Sequence, residues 1–530
     1  MIGLYSQFSP HPVSAAVTID TSSQFNATKY SSQRKTFYDS VNNLYWAFYW
    51  NGSQAEYSNS SDGTSWTSRG TIGTTGSDFS VWKPTGSASV YLVYNDVGLL
   101  RVRAVTGTLG ATSISFGSTT TVASGATGGY LNVGISADTD GKLWVMYTGD
   151  SGASGSDVYG QRSTSVGSTA AWDTAKLIQH MGSSEGTIDS MLVPMTTARD
   201  MYFVLAKNPG ASCSILGVLW DDSANNFGSI TAIDTLASCS YISVLATSSD
   251  QVNLTYDISG PGTVKYRNYS GGTWGSAVTL ASTSATSPVI SVDSGTSNLY
   301  AFWIESNIIK YKKGVSPYAS GNWDASATTL VSTGTNTNLS AAYNDGANSI
   351  FLEWTDGTAN PYSVKFGSVN LNSTPSAPTL SQPASGQTGV SITPQFRMFA
   401  TDVNNDYLEY WIDVCSTSNC SSIVRSICQT NSGTGPPGTC ASPSQTGWAG
   451  QSLQSATAYS SGQTAVHTYQ TTALSANTQY WWRAYVIDPG GTNTWSSASS
   501  ISTFTTALAT QPNVNIGGGT TIYGGTTIGQ

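Results

Sequence analysis

Leu44-Tyr45-Trp46-Ala47-Phe48-Tyr49 is the phrase on which the fold turns, because the chain returns to it six more times. The returns are Val90-Tyr91-Leu92-Val93-Tyr94, Leu143-Trp144-Val145-Met146-Tyr147, Met201-Tyr202-Phe203-Val204-Leu205, Val252-Asn253-Leu254-Thr255-Tyr256, Leu299-Tyr300-Ala301-Phe302-Trp303 and Ile350-Phe351-Leu352-Glu353-Trp354. Each is a strand-length run of aromatic and aliphatic residues, and the repeat distance is about 50 residues, that of a four-stranded propeller blade. Around each run lie the other pieces of a blade. A first strand ends in an Asp, Asn or Gly turn, as in Asp138-Thr139-Asp140-Gly141. A third strand follows the phrase, such as Val264-Lys265-Tyr266 or Ile309-Lys310-Tyr311. An aromatic then opens the fourth: Trp66, Phe116, Trp172, Phe227, Trp274 or Trp323.

Seven phrases have only six such openers, since the last copy runs from its third strand into Asn372-Ser373-Thr374-Pro375. The missing strand is at the start of the chain, where Val13-Ser14-Ala15-Ala16-Val17-Thr18-Ile19 reads like Gly275-Ser276-Ala277-Val278-Thr279-Leu280. The fold class expected is therefore all-β: a seven-bladed β-propeller over residues 1–371, closed by an N-terminal strand that removes the exposed sheet edges.

A Pro- and Ser-rich linker covers 372–383, and residues 384–507 change pattern. Leu408-Glu409-Tyr410-Trp411-Ile412-Asp413-Val414 and Gln479-Tyr480-Trp481-Trp482-Arg483-Ala484-Tyr485-Val486 are strands of a second, sandwich-like domain. Leu474-Ser475-Ala476-Asn477-Thr478-Gln479-Tyr480-Trp481-Trp482-Arg483, with Trp495-Ser496 ahead of Phe504-Thr505-Thr506, resembles the tyrosine-corner half of the fibronectin type III family. The cysteine-rich insertion from Cys415 to Cys440 departs from that family's pattern. Residues 508–530 form a Gly/Thr-rich tail in which Ile516, Ile522 and Ile528 recur every six residues. Such sequence suits either a flexible tail or a strand added to a neighbour's sheet.

Only 10% of residues are charged and the net charge is −9, which excludes nucleic acid and anionic membrane surfaces as partners. No run of 18 apolar residues spans a bilayer. No basic-then-apolar leader opens the chain, so the sequence reads as one whose leader is removed or which leaves its cell by another route, as virion proteins do. The six cysteines group as Cys213 and Cys239 in the propeller and Cys415, Cys420, Cys428 and Cys440 beyond it. Disulfides in an extracellular, cell-surface or virion-surface setting follow, with the pairing within the group of four left open.

Ser60-Ser61-Asp62-Gly63-Thr64-Ser65-Trp66 resembles the Asp-box hairpin of sialidase-like secreted propellers, and it falls between a third and a fourth strand as in that family. There the motif is a structural turn. The resemblance implies an arginine cluster, a Tyr/Glu nucleophile pair and an acid/base Asp if the chain is an enzyme. The propeller arginines are Arg34, Arg69, Arg101, Arg103, Arg162, Arg199 and Arg267, and none sits in a motif like the family's opening strand. Asp39, Asp138, Asp293 and Asp345 recur at one blade position, where an Asp side chain caps a tight turn. Glu56, Glu185, Glu305 and Glu353 are isolated, and three histidines do not support Ser/His/Asp chemistry. Most aromatics recur by blade and so pack between sheets, leaving Trp50, Trp82 and Tyr318 as loop candidates for stacking on sugar.

Asp402, Asn404 and Asp406 offer oxygen ligands at alternate positions, a calcium loop that equally makes an ordinary turn; no other cofactor is indicated. The expectation that follows is a non-enzymatic extracellular subunit of a fibre, filament or layer, associating with copies of itself through its terminal segments. A surface glycan or protein is the other partner. The alternatives are a secreted glycan-active hydrolase of the sialidase-like type and a monomeric lectin or adhesin.

Overall fold

The computed structural model describes residues 16–509, 514–516 and 520–522, apart from short interior stretches (74–75, 127–128, 151–155, 183–184, 198, 209–211, 248–249, 261, 347, 372, 403–405, 434, 438–439, 441, 453–456, 470–471 and 490–492). The chain divides into two compact units, Met1–Leu371 and Asn372–Gln530.

Unit one consists of seven antiparallel sheets, each built on four strands taken in chain order from the inside outwards. Blade one is Thr36–Asp39, Leu44–Trp50, Ala55–Ser60 and Thr67–Ile72. The innermost strands of blades two to seven are Phe79–Trp82, Gly129–Ala137, Gly186–Pro194, Ile242–Thr247, Ala285–Val292 and Asn336–Ala341. Blade seven takes its outermost strand from the start of the chain: Val17–Ser22 pairs with Tyr362–Asn370, Val17 opposite Phe366. The expected closure is thus present.

The quoted phrase is apolar at almost every position because the second strand of a blade is covered on both faces by neighbouring blades. In Leu44–Trp50 the first six residues are buried, and Trp46, Trp144, Trp303 and Trp354 have no exposed surface. The strand-two aromatics are therefore core. Outer strands such as Thr67–Ile72 bury one residue of six. The opening aromatics differ from expectation in one respect. Phe116, Phe227 and Trp274 sit in two- or three-residue strands of their own against the third strand. Trp172 and Trp323 make single bridges to it. The fourth strand proper begins several residues later; after Phe116, Phe227 and Trp274 a Gly interrupts the ladder, and after Trp172 and Trp323 an Asp stands there.

The Asp-box turn forms as the resemblance implies. The Asp62 carboxylate accepts from the Thr64 and Ser65 N–H groups at 2.7 Å, which hold it well below the usual carboxylate range. Trp66 packs on Phe366 of blade seven, ring centroids 4.9 Å apart.

Unit two is a two-sheet sandwich. One sheet runs Thr379–Gln382, Gln395–Phe399, Ala465–Thr468, Trp448–Ala449; the other runs Gln387–Val390, Ser502–Thr506, Gln479–Ile487, Glu409–Cys415, Ile423–Cys428. Phe396, Trp482, Tyr410, Tyr459 and Phe504 fill the space between. Thr379–Gln382, expected within the linker, is a paired strand because its register with Arg397–Phe399 starts four residues before Pro383. The Tyr480 hydroxyl accepts from the Ser475 N–H at 3.1 Å.

The disulfides are Cys213–Cys239, Cys415–Cys420 and Cys428–Cys440, so every cysteine is paired. This is the chemistry of an oxidising compartment. No described helix is long and apolar enough to cross a membrane.

Candidate functional site

The ring axis is occupied by the chain itself. Between its closing strand and blade one, the backbone dips into the centre over residues 28–35, and side chains there reach every other blade. Lys35 donates to the Phe79 carbonyl of blade two at 2.7 Å, Gln33 to the Val133 carbonyl of blade three at 3.0 Å, and Ser32 to Asp189 of blade four. Arg34 serves three blades at once, through the carbonyls of Val244 (2.8 Å), Ile290 (3.0 Å) and Ala341 (3.1 Å). A guanidinium suits this role because its planar fork presents several donors in fixed directions. Burial pulls Arg34 down to about 10 and Lys35 down to about 7.

Acids complete the stitching. The innermost strands of blades three, four, six and seven carry register irregularities at Leu131/Gly134, Thr187/Asp189, Thr286/Val289 and Thr337/Ser340. Irregularities of this kind leave backbone groups out of the ladder and re-aim side chains. Asp78 collects the N–H groups of Asn132 (2.7 Å) and Val133 (3.1 Å), and Asp189 those of Ser190 (3.0 Å) and Ile242 (3.1 Å). Asp257 accepts from Ser240 and Tyr241 N–H and from the Thr286 hydroxyl. Burial raises all three, Asp189 to about 7. Glu353, wholly buried near Lys35, is raised well above its ordinary value by the same cause.

Each innermost strand begins at one face of the ring and ends at the other, so the axis has two mouths. At the starting end, which carries the loops between blades, Tyr30, Lys29 and Tyr241 are half-buried in front of these acids. The Lys29 ammonium lies 4.2 Å from the centre of the Tyr30 ring. Burial, then the charges of Asp78 and Asp189, push the Tyr30 hydroxyl upward; burial, Asp257 and Asp189 do the same to Tyr241. Both phenols consequently stay protonated at neutral pH, beside a buried carboxyl that burial raises to about 7. Perturbed titratable groups gathered at one mouth mark it as the candidate site.

At the other end, where first strands turn into second strands, there is a cup of about 630 Å3 lined by Trp82, Pro84, Tyr91, Pro194, Met195 and Tyr343 among others. Trp82 meets Tyr343 edge-on at 5.3 Å, and the Tyr343 hydroxyl is tied to both N–H and carbonyl of Ala246. This mouth offers apolar surface. Its one carboxylate, Asp138, is taken by Arg162 and by the turn it caps.

The residues singled out from sequence distribute as follows. Asp39, Asp138 and Asp293 cap their own turns, and Asp345 accepts from Ser294 N–H of the preceding blade. Glu185 and Glu305 pair with Lys207 and Lys310, and Glu56 with Asn51 and Ser68. The seven arginines do not converge: Arg34 is axial, while Arg162 and Arg199 share Asp222 and Arg267 pairs with Asp234. Of the loop aromatics, Tyr318 is buried and Trp50 packs against the core between blades one and two, leaving Trp82 in the cup. In unit two, ligand atoms of Asp402, Asp406 and Asp488 all lie within 4.8 Å of one another, whereas Asn404 falls outside the described residues. Ile516 and Ile522 lie in strands Val514–Ile516 and Thr520–Ile522, which pair with each other, and Ile528 is outside the described residues. Tyr30, Tyr241, Asp78, Asp189 and Asp257 were not anticipated. The available signal was the polar run Ser31-Ser32-Gln33-Arg34-Lys35 placed directly before an innermost strand.

No family model matches the chain, and no curated protein matches it. Solved structures do resemble it. Polysaccharide lyase Uly1 has a TM-score of 0.44 and 10% identity over 67% of this chain and 98% of that one. An ulvan lyase bound to -[GlcA(1-4)Rha3S]- has a TM-score of 0.48 and 7% identity over 66% and 94%. Trypanosoma rangeli sialidase in complex with sialic acid has a TM-score of 0.38 and 8% identity over 88% and 86%. At such identities the likeness is one of fold. Their titles name two lyases and a sialidase, and none names a non-enzymatic subunit assembling through its tail, which is the expectation drawn from the sequence. The described part of that tail also pairs with itself.

Proposed function

We propose that this chain is an extracellular glycan-active enzyme whose acid–base centre is the loop-side mouth of the propeller axis. The observation that carries the reading is Tyr30: a half-buried phenol at the mouth, beside the buried carboxyls of Asp78 and Asp189. Cleaving a glycosidic linkage requires a proton to be delivered to the leaving oxygen and another to be taken up elsewhere. Tyr30 is the group that donates. Tyr241, a near neighbour of Tyr30, is the second phenol available to the substrate, and Asp189 is the positioning carboxyl that holds the Ser190 and Ile242 N–H groups behind them. Hydrolysis and elimination both fit this set, and the product tells them apart. The glycan class is also the one named in the titles of the resembled structures.

The second unit we read as a fibronectin III-like module, supported by its two-sheet sandwich and by the Tyr480–Ser475 bond.

The test is incubation of the purified protein with a panel of neutral and acidic polysaccharides, reading reducing ends for hydrolysis and the ultraviolet absorbance of an unsaturated uronate for elimination. At least one polysaccharide is cleaved, and Tyr30→Phe slows that reaction by about 100-fold or more. A panel left intact, or a Tyr30→Phe enzyme as fast as its parent, sinks the proposal.

A further inference from the structure

Blades three and four depart from the repeat at one position: blade four sets Leu205 opposite Leu216, and blade three carries a second aromatic. In the second strand of most blades an aromatic stands opposite a charged residue of the third. The pairs are Tyr49 with Glu56, Tyr94 with Arg103, Tyr256 with Lys265, Trp303 with Lys310 and Trp354 with Lys365. In blade three the pair is Tyr147 with Tyr159. Where those five blades carry a charged residue, blade three carries a second ring, half-buried and stacked on the first at 5.7 Å. Tyr130 meets Tyr147 edge-on at 5.6 Å from the adjoining innermost strand. Gly125 and Gly149, which carry no side chain, leave the space beside the rings open. The result is a cleft of about 520 Å3 between blades two and three, within the size of small-molecule sites.

We infer that this cleft is a binding subsite for a neutral pyranose. Tyr159 presents a half-exposed ring on which the apolar face of a sugar can lie, the buried rings of Tyr147 and Tyr130 hold it in place from behind, and Ser124 offers a hydroxyl at the rim. Charge is kept out. The nearest carboxylate, Asp157, is engaged by His180 Nδ1 and Met181 N–H at 2.9 Å each and by the Tyr159 hydroxyl at 3.4 Å. Gln161 is fixed by the Tyr147 hydroxyl (3.1 Å) and the Asp173 carbonyl (2.6 Å), so the wall is set before any ligand arrives. The cleft opens at the same end of the blades as Tyr30, since it uses the start of one innermost strand and the last residues of the preceding outermost one. Its binding does not depend on the acid–base reading.

The substitution that tests this is supplied by the molecule. Tyr159→Lys installs what three other blades carry at that place and so preserves the blade. Full-length protein is run in native gels cast with hydroxyethyl cellulose, xyloglucan or glucomannan, with polygalacturonate as the acidic control. The expected result is retardation by at least one neutral polymer, weakened tenfold or more by Tyr159→Lys, with circular dichroism unchanged. Tyr30→Phe is retarded like the parent, which separates this subsite from the catalytic proposal. The inference is overturned by retardation that Tyr159→Lys leaves intact, by retardation in polygalacturonate alone, or by none in any gel.

Discussion

The two mouths of the ring axis are made by the same seven innermost strands, yet their chemistry is opposite. The end where these strands start is polar and titratable, with Tyr30, Lys29 and Tyr241 in front of Asp78, Asp189 and Asp257. The end where they finish is a cup of Trp, Tyr, Pro and Met. What separates them is Arg34, whose guanidinium spans three blades and lies 5.7 Å from the Tyr343 ring that floors the cup. The difference teaches that blade repetition supplies a scaffold with no built-in polarity. The chain's own entry through residues 28–35 assigns acid–base groups to one side and leaves hydrophobic packing on the other.

The comparison breaks first at Arg34. Replacing it by Met leaves three axial carbonyls without their donor, and charge-assisted hydrogen bonds are individually worth about 1.5–3 kcal/mol. Arg34→Met is expected to lose more than about 3 kcal/mol in a urea titration. A loss under about 1 kcal/mol would mean the axle does not hold the blades. Next, the two mouths should differ in turnover. Tyr30→Phe abolishes most activity without moving the melting temperature, whereas Trp82→Ala in the cup leaves turnover within about twofold while lowering stability. Equal effects on turnover would erase the functional distinction.

A pH experiment sharpens the contrast further. Burial raises Asp189 from 3.8 to about 7 in the folded chain. Between these values the folded state holds a proton that the unfolded state has released, so this group's contribution to stability is full below about 4 and falls as pH rises towards 7. Asp189→Asn should therefore gain relative to the parent across that window, measured by parallel denaturant titrations at several pH values. A constant difference would show that Asp189 does not titrate there. The smallest effect is expected in unit two. If Asp402, Asp406 and Asp488 hold calcium, adding the ion raises the melting temperature of the full chain by a few degrees through mass action, and chelation reverses it. No shift leaves the three carboxylates as a turn network.

The ring was legible in sequence because a blade is a local pattern. Each aromatic run is buried on both faces and repeats at nearly constant distance, and the missing seventh outer strand had to be somewhere. Asp39, Asp138 and Asp293 were also legible, because an Asp that caps its own turn needs no distant partner. The axial site was not. Asp78 and Asp189 sit in different blades, and their relation to Tyr30 exists only once the ring closes and residues 28–35 enter it. Arg34 was visible merely as one of seven arginines. Tyr159 lies between these cases: its neighbours in sequence are unremarkable, but the register that sets it opposite Tyr147 exposes it as the aromatic at a place where five blades carry a charged residue and one carries Leu216. The isoleucine spacing of the tail likewise said nothing about which strand each would meet, and Val514–Ile516 and Thr520–Ile522 pair with each other.

The pairing of Val17 with Phe366 joins residues 349 positions apart, and the axle residues just after it bind every blade made later. A chain emerging in order from N to C terminus therefore carries its clasp and its spindle from the outset with nothing to fasten them to. Until the third strand of the seventh blade has been synthesised, the growing protein is an open arc with a buried-type arginine and lysine still in water. Sealing is then a single late event at one seam, and that seam is where proteases and mechanical force should first find the ring.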